Sequence, residues 1–321
     1  MPAGRAHGPR PRAALAAWRP IARLGLPHRE ASNSFLAMPS PDHAAADAVA
    51  KESRLADWFR AHGSALIGFS GGVDSAYLAC VALDTLGAAH TLAVIGRSAS
   101  YPAAQWARAR EVADRFGVPV LEVDTDEMND PRYAANPVNR CYFCKSELWG
   151  RLAPIAAARG LAVVVDGTNA DDLGDHRPGA QAARERGVHS PLAELGFTKD
   201  EIRARSAARG IPTWDQPSSP CLSSRLPYGT AVTSLRLRRV EEAEAALRAL
   251  GIEGNLRVRY FGDLAKVELD PGPRTYWGVG DARARLEAAV RAAGFAEVEV
   301  DPRGFRSGAL NVLAGILPGG D

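Results

Sequence analysis

Three consecutive pieces, Ala65-Leu-Ile-Gly-Phe69, Ser70-Gly-Gly-Val-Asp-Ser75 and Ala76 to Leu86, constrain this chain more than any others. The first is a short apolar run of strand length. The third carries apolar residues at helical spacing. Only six residues turn the chain between them. Gly71 and Gly72 let the backbone come close to a ligand. The first turn of the following helix presents free N–H groups and the positive end of its dipole to an anion. Ser70 and Ser75 add hydroxyl donors. Asp74 is the odd member, a carboxylate where phosphate would sit, tolerable if it holds Mg²⁺ or accepts backbone N–H groups. A plain tight turn with Asp74 as a helix cap would account for the glycines. It does not account for the whole pattern S-G-G-x-D-S at a strand-to-helix junction, so the stretch is read as a phosphate cradle. The other nucleotide signatures, G-x-x-x-x-G-K-[ST] and G-x-G-x-x-G, are missing.

The signals that follow alternate. A helix over 46–62, the strand at 65–69 and the cradle helix are followed by a strand at Leu92–Ile95 and a helix at Tyr101–Phe116. A strand at Val118–Val123, a polar stretch at 124–139, a helix at Lys145–Arg159 and a strand at Leu161–Val165 come next. This order predicts an α/β fold with a doubly wound parallel sheet, covered on both faces. Ligands on such sheets bind at the carboxyl ends of strands, so Ser70–Ser75 and Asp166-Gly-Thr-Asn169 are expected to converge on one crevice. Thr198 is a plausible cap for a helix to Arg209. Past residue 230 the pattern changes to a charged helix at Ser234–Leu250, a hairpin turning at Gly262-Asp263, a helix at Gly280–Gly294 and a strand at Glu297–Val300. The expected division is 46–228 for the nucleotide domain and 229–321 for a smaller α+β domain.

Composition narrows the partners. Hydrophobic residues make up 46% of the 321 and charged residues 24%, ordinary values for a soluble globular chain. No apolar run approaches the roughly 18 residues of a membrane span. The net charge of +2 is misleading, because residues 1–30 hold six arginines and one glutamate. The rest carries 33 basic and 36 acidic side chains, which argues against nucleic acid as a partner. Residues 1–45 read as an appendage, either disordered or lying before a true start near Met38. Their Arg-rich, acid-poor bias is also that of a transit peptide, but a cytoplasmic location is the expectation.

The four cysteines are Cys80, Cys141, Cys144 and Cys221. Without a secretion signal a disulfide framework is not expected. Cys80 lies on the apolar face of the cradle helix and reads as a small core residue. Cys141-Tyr-Phe-Cys144 alone is ambiguous among a redox pair, half a zinc site, and part of an iron–sulfur site completed by another cysteine. Cys221 lies in the loop Ser218-Ser-Pro-Cys-Leu-Ser-Ser-Arg225. Arg257 and Arg259, two apart on a strand, point to one face. They either meet an anion or form a solvated sheet face. Glu268 on the return strand could pair with them or hold a metal.

The cradle resembles that of the N-type ATP pyrophosphatases, whose fold is of the adenine-nucleotide α-hydrolase type. The chain as a whole, from about residue 50 to about 315, resembles the LarE family of ATP-dependent sulfur transferases. The resemblance rests on Ser70–Ser75, Arg140-Cys-Tyr-Phe-Cys-Lys145, Asp166-Gly-Thr-Asn169 with Asp172 and Asp175-His-Arg-Pro-Gly179, Pro220-Cys-Leu-Ser-Ser-Arg225, and Gly304-Phe-Arg-Ser-Gly308. It implies adenylation of a carboxylate of pyridinium-3,5-biscarboxylic acid mononucleotide, release of pyrophosphate, and insertion of sulfur in nickel-pincer cofactor synthesis. One branch of the family sacrifices the sulfur of a single cysteine, which Cys221 matches. The other holds a [4Fe–4S] cluster on three cysteines, which Cys141, Cys144 and Cys221 match. An iron left open on such a cluster is what a sulfur carrier needs, so the cluster reading is preferred.

The implied site follows. Ser70, Gly71, Gly72, Val73, Asp74 and Ser75, with Gly167 and Thr168, hold ATP. Asp74 and Glu268 are the candidates for Mg²⁺, and Cys221 and Asp74 are the catalytic residues. Arg225, Arg257 and Arg259 are the candidates for the substrate phosphate, with Arg225 alternatively lowering the pKa of the Cys221 thiol. Arg177 reads as structural. Homo-oligomerisation and other nickel-pincer enzymes are the expected associations. The weighed alternatives are a tRNA thiolase with the same cradle and a non-catalytic iron–sulfur sensor.

Overall fold

Residues 41–174 and 178–316 are described by the computed structural model, and the expectations for residues 1–40 and for Arg177 lie outside them. Helix α1 (Pro41–His62) leads to β1 (Ala65–Gly68), α2 (Val73–Leu86), β2 (Thr91–Arg97), α3 (Ala103–Phe116), β3 (Val120–Asp124), the short α4 (Pro131–Ala134), α5 (Arg140–Ala158) and β4 (Val163–Val165). Then come α6 (Pro178–Glu185), α7 (Pro191–Glu194), α8 (Lys199–Ala208) and α9 (Ser234–Ala249). The last part comprises β5 (Leu256–Phe261), β6 (Leu264–Leu269), α10 (Pro271–Trp277), α11 (Gly280–Ala292), β7 (Glu297–Val300) and α12 (Ala309–Leu313). Among the described residues no helix is long and apolar enough to cross a membrane.

The first sheet is parallel throughout, in the order β3-β2-β1-β4. Side chains alternate between its faces, as the pleat requires. Ile67, Ala93 and Ile95 join Leu55, Phe59, Tyr77 and Leu78 in one core. Leu66, Leu92 and Val94 join Trp149 and Leu152 of α5 in another. Strands buried on both faces explain why these segments read as continuous apolar runs. The chain lays β2 and β3 on one side of β1 and β4 on the other, so the topology switches between β1 and β4. The turns leaving those two strands therefore open one crevice.

The second sheet is mixed. β5 and β6 are antiparallel across the Gly262-Asp263 turn, and β7 lies parallel to β6. Leu237, Val240 and Leu247 of α9 and Leu286 and Val290 of α11 cover one face of it. Tyr133, Leu222 and Leu226 pack into the same core. The segment around Cys221 is thus anchored by the second core.

Two differences from the sequence reading matter. α5 begins at Arg140, five residues before the expected Lys145, so Cys141 and Cys144 both lie in its opening turns. The polar stretch at 124–139 contains α4, capped by Asp130, whose carboxylate accepts from the Arg132 N–H. Short helices such as α4 have too few turns to be stable alone and exist through tertiary contact, so periodicity does not reveal them.

α1 is clamped to α2 and α8 by Glu52. Its carboxylate accepts from Arg205 Nε and Nη2 at 2.9 Å each, from Arg209 Nη2 at 2.9 Å and from the Tyr77 hydroxyl at 2.8 Å. Burial alone would raise its pKa, but the hydrogen bonds from Arg205, Arg209 and Tyr77 prevail and lower it to about 2. A depressed carboxylate stabilises the fold at pH values above its unfolded pKa and loses that contribution as pH falls toward the folded value. Glu52→Gln is therefore expected to cost about 3 kcal/mol at pH 7. The gap to wild type should close between about pH 4.5 and pH 2, and urea unfolding across that range measures it. An unchanged gap at pH 2 would refute the clamp.

Candidate active site

The cradle is held from within and from outside. The Ser70 N–H donates to Ser75 Oγ at 3.2 Å, the two hydroxyls lie 3.1 Å apart, and Ser75 Oγ donates to the Gly72 carbonyl at 3.2 Å. The Ser70 carbonyl accepts from the Tyr101 hydroxyl at 2.9 Å and from Gln105 Nε2 at 2.8 Å. Gly71 adopts φ +67°, and a Cβ there would lie 2.5 Å from that of Ala109 on α3. Glycine is required on both counts. Gly72 occupies the N-cap of α2 and offers no side chain to satisfy its first N–H groups, which leaves that turn suited to an anion.

The turn after β4 meets the cradle. A Cβ on Gly167 would lie 2.9 Å from the Ser75 nitrogen, so only glycine allows this approach. The Thr168 N–H is turned onto Asp166 Oδ1 at 3.0 Å. Asn169 Nδ2 donates to Asp74 Oδ1 at 3.3 Å, and Lys199 Nζ donates to Asp74 Oδ2 at 2.6 Å. Lys199 opens α8, whose start is set by a capping box of Thr198 and Glu201. The carboxylate that stood out in the sequence thus has a cationic partner 125 residues away.

The three cysteines other than Cys80 approach one another. Cys144 is half-buried and Cys141 exposed, both on α5, and half-buried Cys221 caps the turn Leu222–Arg225. Burial, then the charge of Glu127, then those of Cys221 and Cys141, push the Cys144 thiol well above its ordinary range. Glu127 is buried. Its Oε1 accepts from Ser100 Oγ at 3.1 Å, and the Ser100 carbonyl accepts from the Leu222 N–H at 2.8 Å. The Tyr133 hydroxyl lies 2.6 Å from Ser223 Oγ. Among the described residues no three His, Cys, Asp or Glu side chains are close enough to grip a single metal ion. Thiolates are the donors that iron–sulfur groups take, and Cys221 and Cys141 both lie near enough to bias the Cys144 thiol.

Asn136 fastens this region. It adopts φ +55°, and its Nδ2 donates to the carbonyls of Pro227 at 2.8 Å and Thr230 at 2.9 Å. Its Oδ1 accepts from Arg140 Nη1 at 2.7 Å. Burial works against the charge of Arg140, but its neighbours, Cys221 and Cys141 first among them, leave its pKa above the ordinary arginine value.

A cavity of about 350 Å³ opens beside the cysteines, lined by residues including Arg140, Cys141, Tyr228, Arg257, Arg259 and Phe305. Arg257 and Arg259 are both 6% exposed, which excludes a solvated sheet face. Arg257 donates to the carbonyls of Leu256, at 2.7 Å, and of Ser218. Among the described residues it has no carboxylate partner. Burial and the neighbouring charge of Arg225 lower its pKa to about 10, so the site gains from an added anion. Arg259 Nε and Nη2 donate to Glu268 Oε2 at 3.0 and 2.8 Å. Glu268, 2% exposed, is therefore consumed as an arginine partner in place of the Mg²⁺ role considered for it. Arg225 also departs from expectation. Its Nε and Nη2 donate to Glu244 at 3.0 Å each, and its Nη1 donates to the carbonyls of Pro220 and Cys221. It braces the turn through backbone carbonyls instead of facing a substrate phosphate or the Cys221 thiol.

The cradle does not line this cavity. The two are joined by Gln105, which reaches Ser70, and by Gln216 Nε2, which donates to Gln105 Oε1 at 3.3 Å from the segment leading to Cys221.

Residues 58–136, which include the cradle, match the NAD synthase family. An uncharacterized protein of Synechocystis is 45% identical over 261 residues, 81% of this chain and 97% of that one. The pyridinium-3,5-bisthiocarboxylic acid mononucleotide synthase of Lactiplantibacillus plantarum is 36% identical over 248 residues, 76% of this chain and 88% of the synthase. The chain belongs to the LarE family. It is an ATP-binding enzyme of the PP-loop ATP pyrophosphatase class, in which the cradle at 70–75 is the PP-loop. An uncharacterized protein of Methanocaldococcus jannaschii is more distant, at 28% over 211 residues.

In this LarE-family chain, sequence reasoning singled out the PP-loop, the turn after β4, the cysteines and the arginine pair. It missed Lys199, Asn136, Arg140 as a site residue, and Glu244. Lys199 had a local signal in its capping box, which marks a helix start that could face the crevice. Asn136 had one in Asn-Pro, since a residue before proline is biased away from helix. Glu244 had none, being one of many charges on α9.

Proposed function

We propose that the protein adenylates a carboxylate of pyridinium-3,5-biscarboxylic acid mononucleotide and replaces the AMP with sulfur. The observation that carries this reading is the linkage of the PP-loop, through Gln105 and Gln216, to the segment leading to Cys221, beside a cavity lined by Cys141 and by Arg257, a cation with no carboxylate partner among the described residues.

In the first half-reaction a substrate carboxylate oxygen bonds to the α-phosphorus of ATP. The α–β anhydride breaks and pyrophosphate leaves with the electron pair. The first turn of α2 and the hydroxyls of Ser70 and Ser75 receive the phosphates, bordered by Gly167 and Thr168. Lys199, paired with Asp74 in this structure, is placed to meet the charge of the leaving pyrophosphate, and Asp74 would hold Mg²⁺, which would neutralise part of that charge. In the second half-reaction a sulfur nucleophile attacks the acyl carbon. The C–S bond forms, the bond to AMP breaks, and AMP leaves with the pair. Cys141, Cys144 and Cys221 would hold a [4Fe–4S] cluster, which supplies a replaceable sulfide when bound. Arg257 and Arg259 take the substrate phosphate, and Arg225 keeps the Cys221 turn in register.

Lys199→Met is expected to slow pyrophosphate release by about a hundredfold to a thousandfold, the usual effect of removing one preorganised charge-stabilising donor. ATP binding should weaken far less. The reading as a whole is tested by pyrophosphate release with the mononucleotide and, separately, with tRNA. Release is expected with the mononucleotide alone. Release with tRNA alone, or with neither, would overturn it.

A further inference from the structure

One buried cation has no task in the scheme above. Arg140 is 5% exposed and lines the cavity. Its Nη1 is fixed by Asn136, and its guanidinium lies 5.1 Å from the centre of the Tyr228 ring. Its Nε is shut away from solvent without a hydrogen-bond partner. A charged donor is seldom left so, because an unmet donor forfeits its hydration for nothing. Arg140 is also the first residue of α5, where the helix dipole adds positive character. With Nη1 pinned, the guanidinium is held in one plane at the cavity wall, and its remaining donors keep the fork geometry that matches a carboxylate.

We infer that Arg140 is a specificity-determining residue that binds a carboxylate of the substrate beside Cys141, at a subsite distinct from the phosphate subsite of Arg257 and Arg259. The inference rests on the mononucleotide reading of the cavity. A thiocarboxylate is also an anion, so the same contact serves substrate and product. A ligand with phosphate but no carboxylate gains nothing from Arg140.

Two ligands that differ only in this group supply the test, read by calorimetric binding without turnover. Nicotinic acid mononucleotide carries a ring carboxylate, and nicotinamide mononucleotide carries an amide in its place. Wild type should bind the acid about tenfold to a hundredfold more tightly, the range for a hydrogen bond to a charged group. Arg140→Gln should abolish that preference by weakening the acid alone, and Arg140→Lys should keep part of it. Arg257→Gln should weaken both ligands alike. Equal affinities in wild type would overturn the inference without recourse to any variant. A preference that survives Arg140→Gln while Arg257→Gln weakens both ligands would remove the Arg140 assignment alone. Binding of neither ligand to wild type would remove the mononucleotide reading with it.

Discussion

Replacing Cys221 by alanine is expected to abolish thiocarboxylate formation while pyrophosphate is still released from ATP. The separation follows from where the two half-reactions lie. Nothing in the PP-loop touches Cys221 directly. The connection runs through Gln216 and Gln105 and through the Leu222 N–H to the Ser100 carbonyl. The substitution removes one thiol and keeps those backbone links, so activation of the carboxylate survives. The loss in sulfur transfer should be complete, because Cys221 is either the donor itself or one of the three thiols that would hold the donor. The remaining cysteines tell the sources apart. If a cluster carries the sulfur, Cys141→Ala and Cys144→Ala should lose both the visible absorption and the transfer. If Cys221 is sacrificed, its side chain loses the Cβ–S bond and an α-proton to become dehydroalanine. Mass spectrometry after one turnover would then show that residue lighter by H₂S, with Cys141→Ala still active. Loss of pyrophosphate release in Cys221→Ala would contradict the division of labour.

Glu244→Ala is expected to destabilise the protein by about 3–5 kcal/mol. Glu244 accepts both donors of the Arg225 fork and the Val258 N–H at 3.0 Å, so it joins α9, the Cys221 turn and β5. Only 2% of the Arg225 side chain is exposed. Removing its carboxylate strands a buried charge, which costs more than the pair contributes. The melting temperature should fall by roughly 6–20 °C, at 2–4 °C per kcal/mol for a chain of this size. A double variant, Arg225→Met with Glu244→Leu, should recover most of the stability, since apolar groups of similar volume replace buried ion pairs at little cost. It should not recover sulfur transfer, because the Pro220 and Cys221 carbonyls lose the guanidinium that fixes the turn. A double variant no more stable than Glu244→Ala would argue against a stranded charge as the cause.

The fold class was legible because its cause is local. Apolar runs of strand length between helical periods admit few arrangements other than a covered parallel sheet, and the glycines of the PP-loop mark where its turn must be. Cys141 with Cys144, and Arg257 with Arg259, stood out as chemistry, since spacing on a helix or strand places each pair on one face. Their partners were not. Glu268 and Arg225 looked available for metal and phosphate, and each is consumed by a buried pair that forms only when β5 meets β6 or α9 meets the 222–225 turn.

By itself, the sequence determined that this chain builds a cradle suited to phosphate at a strand end and carries three cysteines besides the core residue Cys80. Both follow from residue type and short-range spacing. Only the tertiary structure decided which charges are spent and which remain. Asp74 is held by Lys199, Arg225 by Glu244 and Arg259 by Glu268, while Arg140 and Arg257 face the cavity without a carboxylate among the described residues. That sorting depends on contacts between residues far apart in the chain, where burial raises the cost of an unpaired charge, and no local pattern encodes it.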